Sequence, residues 1–154
     1  MSEPSSVPSR GFGYWLTIFA NLAVVGGIIF LGVEIRQNSQ MMKAQTRNEV
    51  AVGVVELLTL AIDDADFANT ILRGHRGEDL SDVEQYQYDQ KTNAWFRYWE
   101  NVHYQYRNEL YDEIEYGVQR EAIRTALTSG PGFATYWCAR RSGYSPEFVG
   151  RNST

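Results

Sequence analysis

Twenty consecutive residues, Tyr14 to Val33, carry no charged side chain: YWLTIFANLAVVGGIIFLGV. No other feature constrains this chain so strongly. As a helix rising ~1.5 Å per residue, such a run spans ~30 Å, the thickness of a bilayer's hydrocarbon core. A helix also pairs its backbone polar groups internally, as a lipid environment demands. The polar members of the run are few. Thr17 can bond back within its own helix, and Asn21 needs a partner or a place near the interface. Tyr14 and Trp15 suit the headgroup layer at one end. Two alternatives stand beside the anchor. A cleaved signal peptide wants a basic start, a shorter apolar region and a small-residue cleavage site. The segment MSEPSSVPSR carries one acid and one base, and Val33-Glu34-Ile35-Arg36 offers no such site. A buried core helix rarely supplies so long an uncharged run. The sequence therefore predicts a polar N-terminal tail at 1–13, a transmembrane helix at 14–33 and a soluble domain at 34–154.

The basic residues give this anchor a direction. Arg10 is the single basic side chain of residues 1–13, whereas residues 34–50 contain Arg36, Lys43 and Arg47. The side richer in Lys and Arg tends to stay cytoplasmic. The expected address is the inner (cytoplasmic) membrane, crossed once, with the C-terminal domain in the cytoplasm. The lone Cys138 cannot form an internal disulfide, which agrees with a reducing compartment. Ala23 and Gly27 form a small-xxx-small pair, and Gly26 and Gly32 add further points where a second helix can approach backbone to backbone. Glycine is also common in membrane helices that make no such contact.

After the anchor, about 120 residues remain, enough for one modest domain with its own core. The chain is acidic, with net charge −5, which argues against a nucleic-acid partner, since that needs a basic face. No proline falls between positions 9 and 130, and nothing there forbids long helices. The anchor can run straight on into a cytoplasmic helix. Its stripe is Ile35, Met42, Val50, Gly53, Leu57 and Leu60, with Glu34 to Asn48 exposed and Val50 to Ile62 buried over a wide arc. Asp63, Asp64 and Asp66 end it. They lack the spacing of a calcium loop, and Asp66 reads instead as the N-cap of a short helix, Phe67 to Arg73, closed by Gly74. Ser81 and Glu84 form a capping box for a helix reaching about Glu109. Asp112 caps another, Glu113 to Ser129, with Ile114, Val118, Ala122 and Leu127 on one side. Gly130-Pro131-Gly132 stops it, Phe133 to Arg141 makes a fourth, and Ser145-Pro146 opens a last short turn. Period-two alternation is nowhere convincing. The expected fold is all-α: an N-terminal transmembrane helix continuing into a small cytoplasmic helical bundle.

Chemical density is greatest in Trp95 to Arg107, WFRYWENVHYQYR. Tyr88, Thr92, Trp95, Trp99, Val102 and Tyr106 step 4-3-4-3-4, a seam of the kind packed helices share. At ~100° per residue, Phe96, Glu100, His103 and Arg107 share the adjacent face. Three readings of this polar strip are open. It can be a structural network that fixes how helices meet. It can be a pocket, with His103 as acid–base and Glu100 tuning it. It can be metal-binding, since Glu100-x-x-His103 matches one element of di-iron bundles, but those need a second copy and two further carboxylates. The only other histidine, His75, has no matching Glu. The structural reading is the expected one, and neither a catalytic residue, a metal nor a cofactor is assigned. The Tyr and Trp side chains also suit a protein interface wherever they are exposed.

The runs VEIRQNSQ (Val33 to Gln40) and ENVHYQYR (Glu100 to Arg107) resemble those of a broad group of small bacterial membrane-anchored helical proteins. The resemblance spans nearly the whole chain and implies membrane anchoring and an all-helical domain. It implies no activity and no catalytic residues. The expected function is that of a membrane-anchored scaffold, accessory or regulatory subunit. Its expected partners are the lipid bilayer and protein, as a homo-oligomer or as a subunit of a membrane complex. The competing reading is a small-molecule sensor or enzyme using Glu100, His103 and Arg107.

Overall fold

A computed structural model describes residues 10–152; most of the predicted N-terminal tail lies outside them. Every element among the described residues is helical: α1 (Arg10–Ile62), α2 (Ala65–Arg76), α3 (Asp82–Arg107), α4 (Glu113–Ser129), α5 (Pro131–Arg140), a 3-10 turn (Arg141–Gly143) and α6 (Pro146–Asn152). The chain divides into two compact units, one up to Met41 and one from Met42 onward.

The first unit is the N-terminal part of α1. Its large apolar side chains from Phe12 to Ile35 point outward around the helix, most of them between 47% and 72% exposed. The Thr17 hydroxyl donates to the Gly13 carbonyl at 2.9 Å, so this polar group is satisfied within the helix. Tyr14 and Trp15 meet edge to face at 6.2 Å between ring centroids.

The second unit holds the core. The C-terminal part of α1 presents one line to it: Thr46 and Val50 are buried, and Gly53, Val54, Leu57 and Ala61 are half-buried. The wide buried arc expected from Val50 to Ile62 is not formed. Val52, Val55, Leu58, Leu60 and Ile62 are exposed, because neighbours pack against one side of this segment only. The short helix α2 also differs from expectation. Its cap is Asp64, whose carboxylate accepts from the backbone N–H groups of Asp66 and Phe67 at 3.0 Å each. Asp66 falls inside the first turn, where a negative charge favours the helix dipole. The helix closes at Gly77, in the left-handed region at φ 70°. Gly74 lies within the helix for another reason. A Cβ there would sit 2.3 Å from the Tyr88 ring, so α2 and α3 approach as closely as a glycine permits.

The remaining caps form where the sequence places them. Ser81 and Glu84 make a reciprocal capping box on α3, and Asp112 caps α4. Pro131 occupies the first turn of α5, two residues before the expected start. The inward side of α4 is Tyr116 and Ile123; Ile114 and Val118 are 81% and 65% exposed. The principal core joins α3, α4, α5 and α6 through Phe96, Trp99, Ile123, Phe133, Trp137, Tyr144 and Phe148. A smaller cluster of Val50, Val102 and Tyr116 ties α1 to α3 and α4.

Candidate functional site

Helix α3 carries most of the core and the polar strip, and its capping box fixes where its faces begin. Trp99 and Val102 of the predicted aromatic seam are buried, and Trp95 and Tyr106 are half-buried. Phe96, placed by helical arithmetic on the adjacent face, is fully buried. Its ring stacks on Trp137 at 4.8 Å and meets Trp99, Phe133, Tyr136 and Tyr144 within 5.9 Å. The buried face of α3 is therefore wider than the seam and takes in part of the strip.

The three polar residues of that strip reach three different places. Glu100 accepts the backbone N–H of Ser145 at 2.6 Å and the Arg97 guanidinium at 2.7 Å. Arg97 in turn donates to the Gly143 carbonyl at 3.0 Å and lies 4.4 Å from the centre of the Tyr144 ring. Glu100 thereby pins the turn that precedes α6. Desolvation pushes its carboxyl upward, but the Ser145 and Arg97 hydrogen bonds outweigh that and hold it below the ordinary carboxylate value. His103 is 3% exposed, and its Nδ1 lies 2.7 Å from the Tyr116 hydroxyl on α4. Its Nε2 is buried with no hydrogen-bond partner. Burial, reinforced by Arg151 and Arg107, pushes its pKa below 6.5 and favours the neutral ring. Arg107 pairs with Glu147 of α6 at 3.7 Å. In this geometry each member of the strip holds α3 to another part of the domain. Both Glu100 oxygens are occupied, and His103 is closed to solvent.

Among the described residues no three His, Cys, Asp or Glu side chains converge in a metal-like cluster. In the first unit Ala23 is exposed, and a Cβ added at Gly26, Gly27 or Gly32 would meet nothing within 4 Å. These positions are open to approach by another helix.

The structure adds a feature that periodicity alone did not reveal. A groove of about 800 Å³ runs between the C-terminal part of α1, α3 and α4, with α2 and α5 also contributing. Its walls are mainly apolar: Val54, Leu57 and Leu58 from α1, Trp95 and Trp99 from α3, Val118 and Ala122 from α4. Lys91 also lines it, and this lysine is 7% exposed. Its ammonium donates to the Leu57 carbonyl and lies 5.9 Å from the Trp95 ring centre. Burial pushes its pKa below 10.5. Glu100, His103 and Arg107 do not line the groove. A signal for it was present in the sequence: Lys91, Trp95 and Trp99 recur at four-residue spacing, which aligns a cation with two indoles on one helical row.

The fold defines the class: an all-helical protein whose first helix is long and apolar near its N-terminus. No family model matches the sequence, and no curated protein or solved structure matches it either.

Proposed function

We propose that this chain is a single-pass membrane protein whose helical bundle lies in the cytoplasm and works by protein–protein contact, as an oligomer or as a subunit of a membrane complex. One observation carries the reading. The helix from Gly11 contains an 18-residue window of mean hydropathy 2.3, and none of that window is buried within the protein. An apolar helix that the chain itself does not cover calls for lipid or another chain. The open glycines support helix–helix association in the membrane. The excess of Arg36, Lys43 and Arg47 on the C-terminal side supports the cytoplasmic placement. The resemblance to small bacterial membrane-anchored helical proteins supports the membrane anchor.

Cys138 is exposed and is the only cysteine, so it reports topology without engineering. The full-length protein is expected in the membrane pellet after an alkaline wash. Its thiol should react with a membrane-impermeant maleimide only after the inner membrane is opened. Release by the wash overturns the anchor, and labelling of intact spheroplasts overturns the orientation. Mass measurement of the detergent-extracted particle tests assembly: a defined multimer or a stoichiometric partner supports it, and a bare monomer refutes it.

A further inference from the structure

The groove beside Lys91 poses an electrostatic problem that the chain leaves unsolved. An ammonium has three N–H donors. The Leu57 carbonyl accepts one, and no carboxylate among the described residues lies within ion-pairing distance of this side chain. Glu121 is the one carboxylate in the lining, and Arg124 already holds both its oxygens, at 3.0 and 2.5 Å. His75 also lines the groove, and burial pushes its pKa down, toward the neutral ring. A cation kept from water without a counter-ion is unfavourable unless something supplies the negative charge. The surrounding walls are apolar and open outward, as Val118 and Leu58 show.

We propose that this groove binds a single-chain amphiphile, a long-chain carboxylate, with its head group on Lys91 and its apolar chain along Trp95 and Trp99. The volume falls within the roughly 300–1,000 Å³ typical of small-molecule sites. Lys91 to Trp99 is eight residues, or ~12 Å of α3, with the charge at one end of the row and indoles along the rest. An acyl chain brings no polar groups of its own, so an apolar wall satisfies it completely. An extended peptide would bring backbone N–H and C=O groups along its whole length, and the stretch beside Trp95, Trp99, Leu57 and Leu58 offers them no polar side chain. The carboxylate would form a charge-assisted hydrogen bond with the Lys91 ammonium. This function goes beyond scaffolding and gives the domain something to sense.

The test uses the full-length protein in phosphatidylcholine nanodiscs. Trp15→Phe serves as the background, so that tryptophan emission reports the domain. The probes are a bromine-labelled dodecanoate, the matching alcohol and the matching trimethylammonium amphiphile. Saturable quenching by the carboxylate, at least about tenfold tighter than by the alcohol and absent with the cation, is expected from one charge-assisted contact. Lys91→Met should remove that preference and Lys91→Arg should retain it, with circular dichroism confirming that each variant is folded. Equal affinity for carboxylate and alcohol overturns the proposal, as does the absence of saturable quenching in the parent protein. A cross-link from the groove to a second copy or to another protein, undisturbed by the carboxylate, also overturns it by showing a protein in the same place. The comparison of three head groups on the parent protein decides the matter even where neither Lys91 variant folds.

Discussion

Residues 14–33 and α3 are both crowded with large apolar side chains, yet the chain treats them in opposite ways. Around the first, Leu22, Val25, Ile29 and Phe30 are all at least half exposed. On the second, Phe96 and Val102 have no exposure at all. The difference lies in the polar residues between them. In α3, Arg97, Asn101 and Arg107 break the apolar content into one buried face with a solvated back. Residues 14–33 have no charged residue to define a back, and their large apolar side chains face outward all round the helix. Whether an apolar helix is buried by its own chain is thus set by what interrupts it as much as by how apolar it is.

The sharpest way to break this comparison is to delete the same ring from each helix. Phe96→Ala removes a fully buried aromatic that touches five others, and it should lower the domain's unfolding free energy by about 3–5 kcal/mol. Phe19→Ala removes a ring that is 65% exposed, and it should leave the unfolding of the domain unchanged. Urea titration of the full-length protein in neutral detergent, followed by near-ultraviolet circular dichroism, reads both. Comparable losses at the two sites would show that the first helix is buried by the protein after all.

Some of this contrast was legible in the sequence. The uncharged run, the Ser81–Glu84 box, the Asp112 cap and the proline at the start of α6 are local signals, and each sits where local chemistry puts it. What periodicity could not supply was the number of neighbours. Val55, Leu58 and Leu60 read as buried because they are apolar, but only one line of that segment meets other helices. Phe96 and His103 read as flanking the seam, but α3 is contacted by α4, α5 and α6 together, and that widens its buried face. For the polar strip, the helical face of Glu100, His103 and Arg107 was visible, whereas their partners Ser145, Tyr116 and Glu147 are set by tertiary structure. A lysine on a helix is ordinarily solvated, so the burial of Lys91 is set by tertiary structure.

The buried polar pair that joins α3 to α4, His103 and Tyr116, tests whether the inward face of α3 is more than hydrocarbon. Tyr116→Phe leaves both His103 nitrogens without a partner and should cost about 1–3 kcal/mol. The titration of His103 gives an independent signature. Its folded pKa lies below 6.5, so the unfolded chain takes up the proton first. Its contribution is fully present above pH 6.5 and is lost as pH falls toward the folded value. His75 shifts in the same direction, through burial. Glu100, held below 4.5, adds a later loss at more acidic pH. Unfolding free energies measured from about pH 7 downward should therefore decline first through the histidine range. His103→Gln, which can keep a hydrogen bond to Tyr116 but has no proton to gain there, should flatten that first decline, with the remainder due to His75. An unchanged slope would mean that His103 does not titrate differently on folding.

The smallest expected effect isolates local conformation from burial. Glu109, just past the end of α3, sits at φ 59°, in the left-handed region that disfavours a side chain. The equivalent position after α2 is Gly77, at φ 70°. The Glu109 N–H donates to the Tyr106 carbonyl at 3.0 Å and the Leu110 N–H to Gln105 at 3.0 Å, so the backbone closes the helix in the way glycine usually does. Glu109→Gly relieves the steric penalty while adding freedom to the unfolded chain, and the two oppose each other. A net gain of about 0.5–1 kcal/mol is expected, several-fold smaller than the loss at Phe96. The same urea titration measures it. A loss instead of a gain would show that the Glu109 side chain makes a contribution larger than its conformational strain. A gain rivalling the Phe96 effect would show that helix ends, and not the aromatic face, decide whether α3 stays folded.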